Sequence, residues 1–240
     1  MPDLNRGWVV QPHDALLKIA EGVWSAAGMI VMPLGRFPRR MTVVLLEDGG
    51  LAVWSAIPLD EDQMARLDAL GPVRFLIVPN AGHRLDVAAW KARYPGAKVI
   101  APAGARDAVA EAAPVDATGD VMGDPTVSLT VVQGMTAEEF AMTITRADGT
   151  TLVLNDVLAS VRHPQGIGAQ VMARLFGFGV DRPRVSRLVR RRYIADAAAV
   201  ARQLRSWAAT PNLARVVVSH VDVIDDAPAA ALERAAADLA

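Results

Sequence analysis

The feature that most constrains this fold is the order in which strand and helix patterns follow one another. Each half of the chain begins with strand patterns and ends with helices or a βα unit. A strictly alternating chain would favour a doubly wound parallel sheet. This order instead predicts an α/β (α+β) fold, a four-layer αββα sandwich in which two mixed β-sheets pack face to face with helices outside.

The individual patterns place the predicted elements along the chain. Alternating or wholly apolar runs predict strands, at 41–47, 51–56, 73–78, 98–101, 127–132, 140–145, 151–154 and 216–219. Helical spacing and start or stop signals predict helices, at 61–70 with Asp60 as its N-cap, 85–94, 105–113, about 168–207 and 228–240. The turn signals at 48–50 and 148–149 indicate tight connections between antiparallel strands.

Composition excludes several classes of protein. The chain has 240 residues, 52% of them hydrophobic, which excludes a disordered chain and leaves ample material for a core. Its formal net charge is −1, so no overall field recruits nucleic acid or a membrane surface. Cysteine is absent, which removes disulfides and thiolate chemistry. We expect one cytoplasmic domain over 1–240, with a variable helical segment at about 160–195 and no membrane span.

Three ionisable residues stand directly after apolar strand patterns. His83 follows the run 75–78 by a short loop, Asp156 follows 151–154, and His220 follows 216–219. Strand ends are rigid points that open on solvent, where α/β proteins tend to place ligands and catalytic groups. Imidazole and carboxylate groups are also ligands for zinc, iron and manganese. His83, Asp156 and His220 are therefore the candidate catalytic and metal-binding residues.

The remaining signals have simpler interpretations. His13 is expected on the surface, and His163 in a loop near the strand end at Asp156. The apolar segment 166–179 fits a face packed on the core, a lid, or the interface of a homodimer. The six arginines of 182–192 fit a solvated helix face, or a patch that attracts an anionic substrate or partner.

Four longer motifs stand out along the chain: Leu-Ala-Val-Trp-Ser-Ala-Ile-Pro-Leu at 51–59, Leu-Gly-Pro-Val at 70–73, Pro-Asn-Ala-Gly-His-Arg-Leu at 79–85 and Trp-Lys-Ala-Arg-Tyr-Pro-Gly-Ala at 90–97. With these motifs the chain resembles the metallo-β-lactamase fold superfamily, and more closely an uncharacterised bacterial branch of it. The resemblance covers about residues 15–240. It implies the αββα sandwich, with a metal centre at one edge between the sheets.

The main metal motif of that superfamily, His-x-His-x-Asp-His, is absent from this chain. In one register its four ligand places hold Asn80, Gly82, Arg84 and Leu85. In the register shifted by one, the places hold Ala81, His83, Leu85 and Asp86. Most of the ligands are missing in either case, so an ordinary dinuclear zinc hydrolase is not expected.

Other motif places are partly retained. Asp156 matches the bridging aspartate of the superfamily and His220 matches its late histidine, whereas Met135 stands in the place of the histidine of a Gly-His-Thr element. Residues 54–56, Trp-Ser-Ala, replace the acidic Leu-Ile-Asp-x-Gly element. The resemblance thus implies a reduced site.

Two functions remain open for such a site. One zinc, iron or manganese ion held by His83, Asp156 and His220, with Asp86 or Glu139 as a fourth ligand or base, would support hydrolysis of a small ester, lactone or phosphoester. The alternative is a non-catalytic protein in which the same residues pair without metal and the cleft binds a small ligand or a protein partner.

Overall fold

Two mixed β-sheets form the centre of the molecule, one from each half of the chain. The computed structural model describes residues 4–32, 35–159, 182–220 and 223–239. The first sheet has six strands in chain order, β1 (Leu17–Ala20), β2 (Val23–Met32), β3 (Gly35–Leu45), β4 (Leu51–Trp54), β5 (Val73–Ile77) and β6 (Lys98–Ile100). The second has five, β7 (Val127–Val131), β8 (Phe140–Arg146), β9 (Gly149–Leu154), β10 (Leu213–Val218) and β11 (Val223–Ile224), with β11 and β7 at its edges.

Helices cover the outer face of each sheet. The first sheet carries α1 (Glu61–Asp68), α2 (Val87–Arg93) and α3 (Arg106–Ala110). The second sheet carries α4 (Arg187–Arg192), α5 (Ala197–Ala208) and α6 (Pro228–Ala237). The predicted four-layer αββα sandwich is therefore confirmed. In the described ranges no helix combines the length and apolar character needed to cross a membrane.

Three separate apolar layers hold the four layers together. One lies between the first sheet and its helices and includes Met64 and Trp90, both fully buried. Another lies between the second sheet and its helices and includes Leu204. The third lies between the sheets, where Trp54 and Phe140 meet. Each fully buried large apolar side chain stabilises the fold by about 1.5–3 kcal/mol.

Parallel strand pairs bring the ends of distant segments to the same edge of the sandwich. In the second sheet β9 pairs with β10 in parallel, with Leu154 beside Val218. In the first sheet β4 pairs with β5 in parallel, with Trp54 beside Ile77. The two sheets also touch at this edge, because the Phe140 amide donates to the Pro79 carbonyl at 2.9 Å. The loops after β4, β5, β9 and β10 therefore meet.

The strand prediction was incomplete at the N-terminal side. The first two strands, β1 and β2, were not predicted, and β3 begins at Gly35, six residues before the predicted start at Met41. Pro38 and two following arginines interrupt the apolar alternation there, and proline carries no donor for a sheet. The β2–β3 pairing nevertheless runs from Val23 to Met32, because the cross-strand ladder supplies what the local pattern lacks.

The long helical segment predicted at about 168–207 is interrupted. Residues 160–181, which include His163 and the whole apolar segment 166–179, lie outside the described residues. Beyond them, α4 ends at Arg192, and Asp196 caps a separate helix, its side chain accepting from the Ala199 amide at 2.9 Å. Between the helices Ile194 forms a β-bridge with Met135. The backbone at Ile194 is therefore extended, and the two helices cannot be continuous.

The surface position predicted for His13 is wrong. Its side chain is only 7% exposed, and its Nε2 accepts a hydrogen bond of 3.0 Å from the Asp60 amide. Asp60 is the N-cap of α1, and its side chain accepts from the Gln63 amide at 2.9 Å. His13 thus packs beside the start of α1, where its ring binds a backbone donor at the helix entrance.

Replacing Asp60 by alanine is expected to lower the free energy of unfolding by about 1 kcal/mol. The Gln63 amide, one of the unpaired donors of the first turn, loses its acceptor in this variant. Urea denaturation followed by circular dichroism measures the change. Asp62→Ala, which removes an exposed first-turn acid that does not cap, is the matched control and should cost only a few tenths of a kcal/mol. Equal losses in the two variants would contradict a capping role.

Candidate metal centre

Three side chains from three loops converge at the edge where the sheets meet. The Asp156 Oδ1 atom lies 2.8 Å from Nε2 of His220 and 3.8 Å from Nε2 of His83. One potential ligand atom from each residue lies within 4.8 Å of the others. The imidazole rings stand edge to face, with centroids 5.2 Å apart. Three residues spread along the chain from position 83 to position 220 thus form one cluster.

The other nitrogen of each imidazole is held by the protein. Nδ1 of His220 lies 3.0 Å from the Pro38 carbonyl oxygen, and Nδ1 of His83 lies 2.6 Å from the Ser55 hydroxyl oxygen. Both rings therefore turn Nε2 towards Asp156. Metal-binding histidines characteristically use their second nitrogen in this way, because the outer hydrogen bond fixes the ring orientation.

Asn80 holds the second oxygen of Asp156. Its side-chain amide donates to Oδ2 of Asp156 at 2.8 Å, and its oxygen accepts from the Gly82 amide at 2.8 Å. The Asn80 side chain thereby joins the loop after β5 to the loop after β9. The Oδ1 atom of Asp156 is left to face the two histidines.

Glu139 lies behind the cluster and supports it from the core. It is completely buried, and its carboxylate accepts hydrogen bonds from the backbone amides of Asp156 at 2.9 Å and Val157 at 3.1 Å. Its Oε2 also accepts from the Asn80 side chain at 3.2 Å. All three hydrogen bonds hold the Glu139 carboxylate against the loop after β9 and the Asn80 side chain. Glu139 therefore supports the Asp156 loop and is not one of the three converging side chains.

Asp86 also lies outside the group of three. Its carboxylate is almost completely buried, where one oxygen pairs with the Arg39 guanidinium and the other accepts from the Asn5 side chain at 2.8 Å. His83 ends the short helical turn Ala81–His83, whereas Asp86, three residues later, is the residue directly before α2. Its place in the fold is that of a buried ion pair beneath the loop.

The protonation equilibria follow from this packing. Burial lowers the pKa of His83, which keeps the imidazole neutral. Burial acts in the same direction on His220, but the hydrogen bond and the charge of Asp156 outweigh it, so that the pKa of His220 is raised. Burial alone would raise the pKa of Asp156, yet His220 and His83 hold it well below its usual range. Asp156 therefore carries the negative charge of the cluster.

Burial, followed by the nearby charge of Asp156, raises the pKa of Glu139 to about 8. Asp156 in the cluster and Glu139 behind it are thus two neighbouring carboxyl groups whose pKa values are shifted in opposite directions, a pattern that commonly accompanies functional sites. The side chains of Asp156 and His220 are 34% and 31% exposed, against 10% for His83. The cluster therefore opens to solvent on the side of Asp156 and His220, and an added ligand can approach it there.

The remaining motif places do not supply further ligands in the described part of the chain. Met135, at the place of a superfamily histidine, packs partly buried against the core of the second sheet. Arg84 donates to the Ala81 carbonyl and to Glu111, its ion-pair partner at 3.1 Å. In the Arg-rich segment, Arg182 pairs with Asp238 at 2.7 Å and Arg190 donates to the carbonyl of the same residue.

Sequence reasoning did not select Ser55 and Asn80 as site residues, although a signal was present. Each is a polar residue placed soon after an apolar strand, and β4 and β5 are parallel neighbours whose ends lie side by side. The rule that selected His83 was restricted to ionisable residues; widened to all polar residues at strand ends it finds Asn80, whereas Ser55 fell inside the strand predicted at 51–56. The Pro38 carbonyl gave no signal, because a backbone carbonyl is present at every position.

Comparisons with known proteins support the fold. No family model matches the chain, and no curated protein matches it. Solved structures do match, among them the metallo-β-lactamase FIM-1 from Pseudomonas aeruginosa in its mono-zinc form, with 14% identity, 98% of each chain covered and a TM-score of 0.62.

Two further matches are metallo-β-lactamases from other bacteria. The protein from Erythrobacter litoralis is 17% identical, with 93% of this chain and 92% of that chain covered and a TM-score of 0.61. The protein from Pontibacter korlensis is 13% identical, with 93% and 98% covered and a TM-score of 0.61. At these identities the likeness concerns architecture. The chain has the fold of the metallo-β-lactamase superfamily.

Proposed function

We propose that this chain is a hydrolase-like protein that binds a single divalent metal ion through His83, Asp156 and His220. The observation that carries the proposal is the orientation of the two imidazoles. Each uses Nδ1 for a protein partner, the Pro38 carbonyl or the Ser55 hydroxyl, and presents Nε2 beside Oδ1 of Asp156. A histidine–carboxylate pair needs only one ring, so two rings aimed at one oxygen favour a shared cation.

The donor chemistry fits a zinc, iron or manganese ion. Two imidazole nitrogens and one carboxylate oxygen are common ligands for these metals, and three protein ligands leave a position open for water or substrate. When bound, such an ion supplies Lewis-acid polarisation of water and of a carbonyl or phosphoryl oxygen. The solvent-facing sides of Asp156 and His220 give a small substrate access to that position.

The surrounding residues favour one ion over two. Arg84 and Met135 occupy motif places that hold ligands in the superfamily, and both are engaged elsewhere, Arg84 with Glu111 and Met135 in the core. Asp86 is committed to Arg39. We therefore propose a mononuclear centre, acting on a small ester, lactone or phosphoester.

One observation favours the alternative, a non-catalytic protein that binds a small ligand or a protein partner in the cleft. The 2.8 Å contact between His220 and Asp156 is a complete charge-assisted hydrogen bond without any ion. Because the Pro38 carbonyl can only accept, Nδ1 of His220 carries a hydrogen, and a second one on Nε2 makes the ring an imidazolium. Such an imidazolium can donate to an anionic ligand, whereas a metal ion at Nε2 would displace the proton to solvent.

Metal analysis of the untagged protein separates the two functions. After incubation with zinc, manganese or iron(II) and gel filtration, we expect about one metal ion per chain and a higher melting temperature. Calorimetry in buffers of different ionisation enthalpy should also show a proton released on binding, from Nε2 of His220. Less than about 0.1 ion per chain with no thermal shift would leave only the non-catalytic alternative, and two ions per chain would contradict a mononuclear centre.

A further inference from the structure

Ser55 has an unusual backbone conformation next to the candidate metal centre. It follows β4 with φ of +51°, a left-handed conformation that non-glycine residues rarely adopt. It is buried, and its amide donates to the Ile77 carbonyl at 3.0 Å. In this position its hydroxyl oxygen lies 2.6 Å from Nδ1 of His83. Strain of this kind is retained where the surrounding structure requires a particular side-chain position.

The two histidines differ in what their outer partners allow. The Pro38 carbonyl next to His220 only accepts, so Nδ1 of His220 must carry a hydrogen. The Ser55 hydroxyl next to His83 both donates and accepts, so Nδ1 of His83 is satisfied with or without a hydrogen. The fold therefore fixes the tautomer of one histidine and leaves the other free to change.

We propose that Ser55 is a positioning residue that lets His83 exchange its two neutral tautomers as a metal binds. Without metal, the hydrogen of His83 sits on Nε2, facing Oδ1 of Asp156, and the Ser55 hydroxyl donates to Nδ1. If Nε2 serves as a ligand, the hydrogen sits on Nδ1 and is donated to the Ser55 oxygen, while the Ser55 hydroxyl hydrogen rotates away from the ring. His83 gives one proton from Nε2 to water and takes one from water on Nδ1, so its charge does not change. The metal-bound half of this proposal rests on the proposed function.

The charge around His83 supports this assignment for the metal-free protein. The Asp156 carboxylate lies 3.8 Å from Nε2, and a hydrogen on Nε2 faces that negative charge while a lone pair there would be repelled. With the hydrogen on Nε2, Nδ1 is an acceptor, and the hydroxyl at 2.6 Å is its donor. In the metal-free protein the Ser55 hydroxyl hydrogen therefore points to Nδ1 of His83, and the Nε2 hydrogen of His83 points towards Asp156.

Two substitutions test Ser55 without a large change in the backbone. Ser55→Gly removes the hydroxyl and accepts a positive φ freely. Ser55→Asp, also tolerated in the left-handed region, supplies a partner that only accepts and so fixes the hydrogen on Nδ1. The readouts are the His83 tautomer, from ¹⁵N chemical shifts of the metal-free protein, and zinc affinity, from calorimetry.

We expect Nε2–H in the wild type and Nδ1–H in Ser55→Asp. Zinc affinity should fall about 10- to 100-fold in Ser55→Gly and equal or exceed that of the wild type in Ser55→Asp. Melting temperatures of the metal-free proteins serve as the folding control. A wild-type ring with its hydrogen on Nδ1, or unchanged zinc affinity in Ser55→Gly, would overturn the role of Ser55. A wild type that binds none of zinc, manganese and iron(II) overturns the proposed function and the metal-bound half of this proposal, while the tautomers of the metal-free protein still decide the metal-free half.

Discussion

Replacing Asp156 by asparagine is expected to abolish metal binding, with affinity lowered by more than about 100-fold. Oδ1 of Asp156 is the atom that both Nε2 atoms face, and the variant removes the only negative charge within the group of three. The asparagine side chain has the same shape, so the loss comes from charge and donor chemistry. Metal content after gel filtration and calorimetric titration with zinc measure it. Asp62→Asn, the same change at an exposed position on α1, is the matched control and should bind metal normally.

The stability of the metal-free protein gives an independent measurement of the ion pair between Asp156 and His220. The pKa of Asp156 is lowered, so its contribution to stability is present above its unfolded pKa of about 3.9 and is lost as pH falls through the folded value. The pKa of His220 is raised, so its contribution is present below its unfolded pKa of about 6.5 and is lost as pH rises through the folded value. Both contributions are therefore present together from about pH 4 to 6.5.

Within that window Asp156→Asn should destabilise the chelator-treated protein by about 1–2 kcal/mol, because both partners are about one-third exposed and solvent screens the pair. The difference from the wild type should shrink as pH rises above the window. Urea denaturation at pH 5.5 and pH 9 measures it. Normal metal content in Asp156→Asn would end the ligand assignment, and a stability difference that does not vary with pH would contradict the ion pair.

The meeting of His83, Asp156 and His220 could be anticipated from sequence because it depends on strand ends. An apolar run that stops at an ionisable residue marks the edge of a sheet, and parallel neighbours such as β9 and β10 must end on the same side. The two-sheet architecture was also predictable from the sequence, since each half of the chain supplies the strands of one sheet.

For the other two candidate ligands, Asp86 and Glu139, the sequence pattern did not predict which groups the carboxylate binds. Asp86 follows His83 by three residues, yet its carboxylate pairs with the buried Arg39. Glu139 lies directly before β8 and close to the cluster, but its carboxylate accepts from the backbone amides of the Asp156 loop. The donors that a buried carboxylate binds come from segments distant in sequence. The local sequence around the carboxylate therefore does not predict its partners.

The largest loss of stability is expected from replacing Glu139 by alanine. Its carboxylate is completely buried and accepts from the backbone amides of Asp156 and Val157 and from the Asn80 side chain. Each buried donor left without an acceptor costs about 1–3 kcal/mol, and the cavity adds to the loss. We expect the free energy of unfolding to fall by roughly 3–5 kcal/mol. Urea denaturation of the chelator-treated protein measures this loss.

Glu139→Gln is the matched variant that separates shape from charge. It retains one acceptor and the volume of the side chain, so it should cost less than Glu139→Ala at every pH. Because the folded pKa of Glu139 is raised to about 8, the stability that the protonated group contributes is present below its unfolded pKa of about 4.3 and is lost as pH rises to about 8. The advantage of the wild type over Glu139→Gln should therefore narrow between pH 5 and 8. A loss below about 1 kcal/mol in Glu139→Ala would mean that water replaces the carboxylate and that this residue does not support the Asp156 loop.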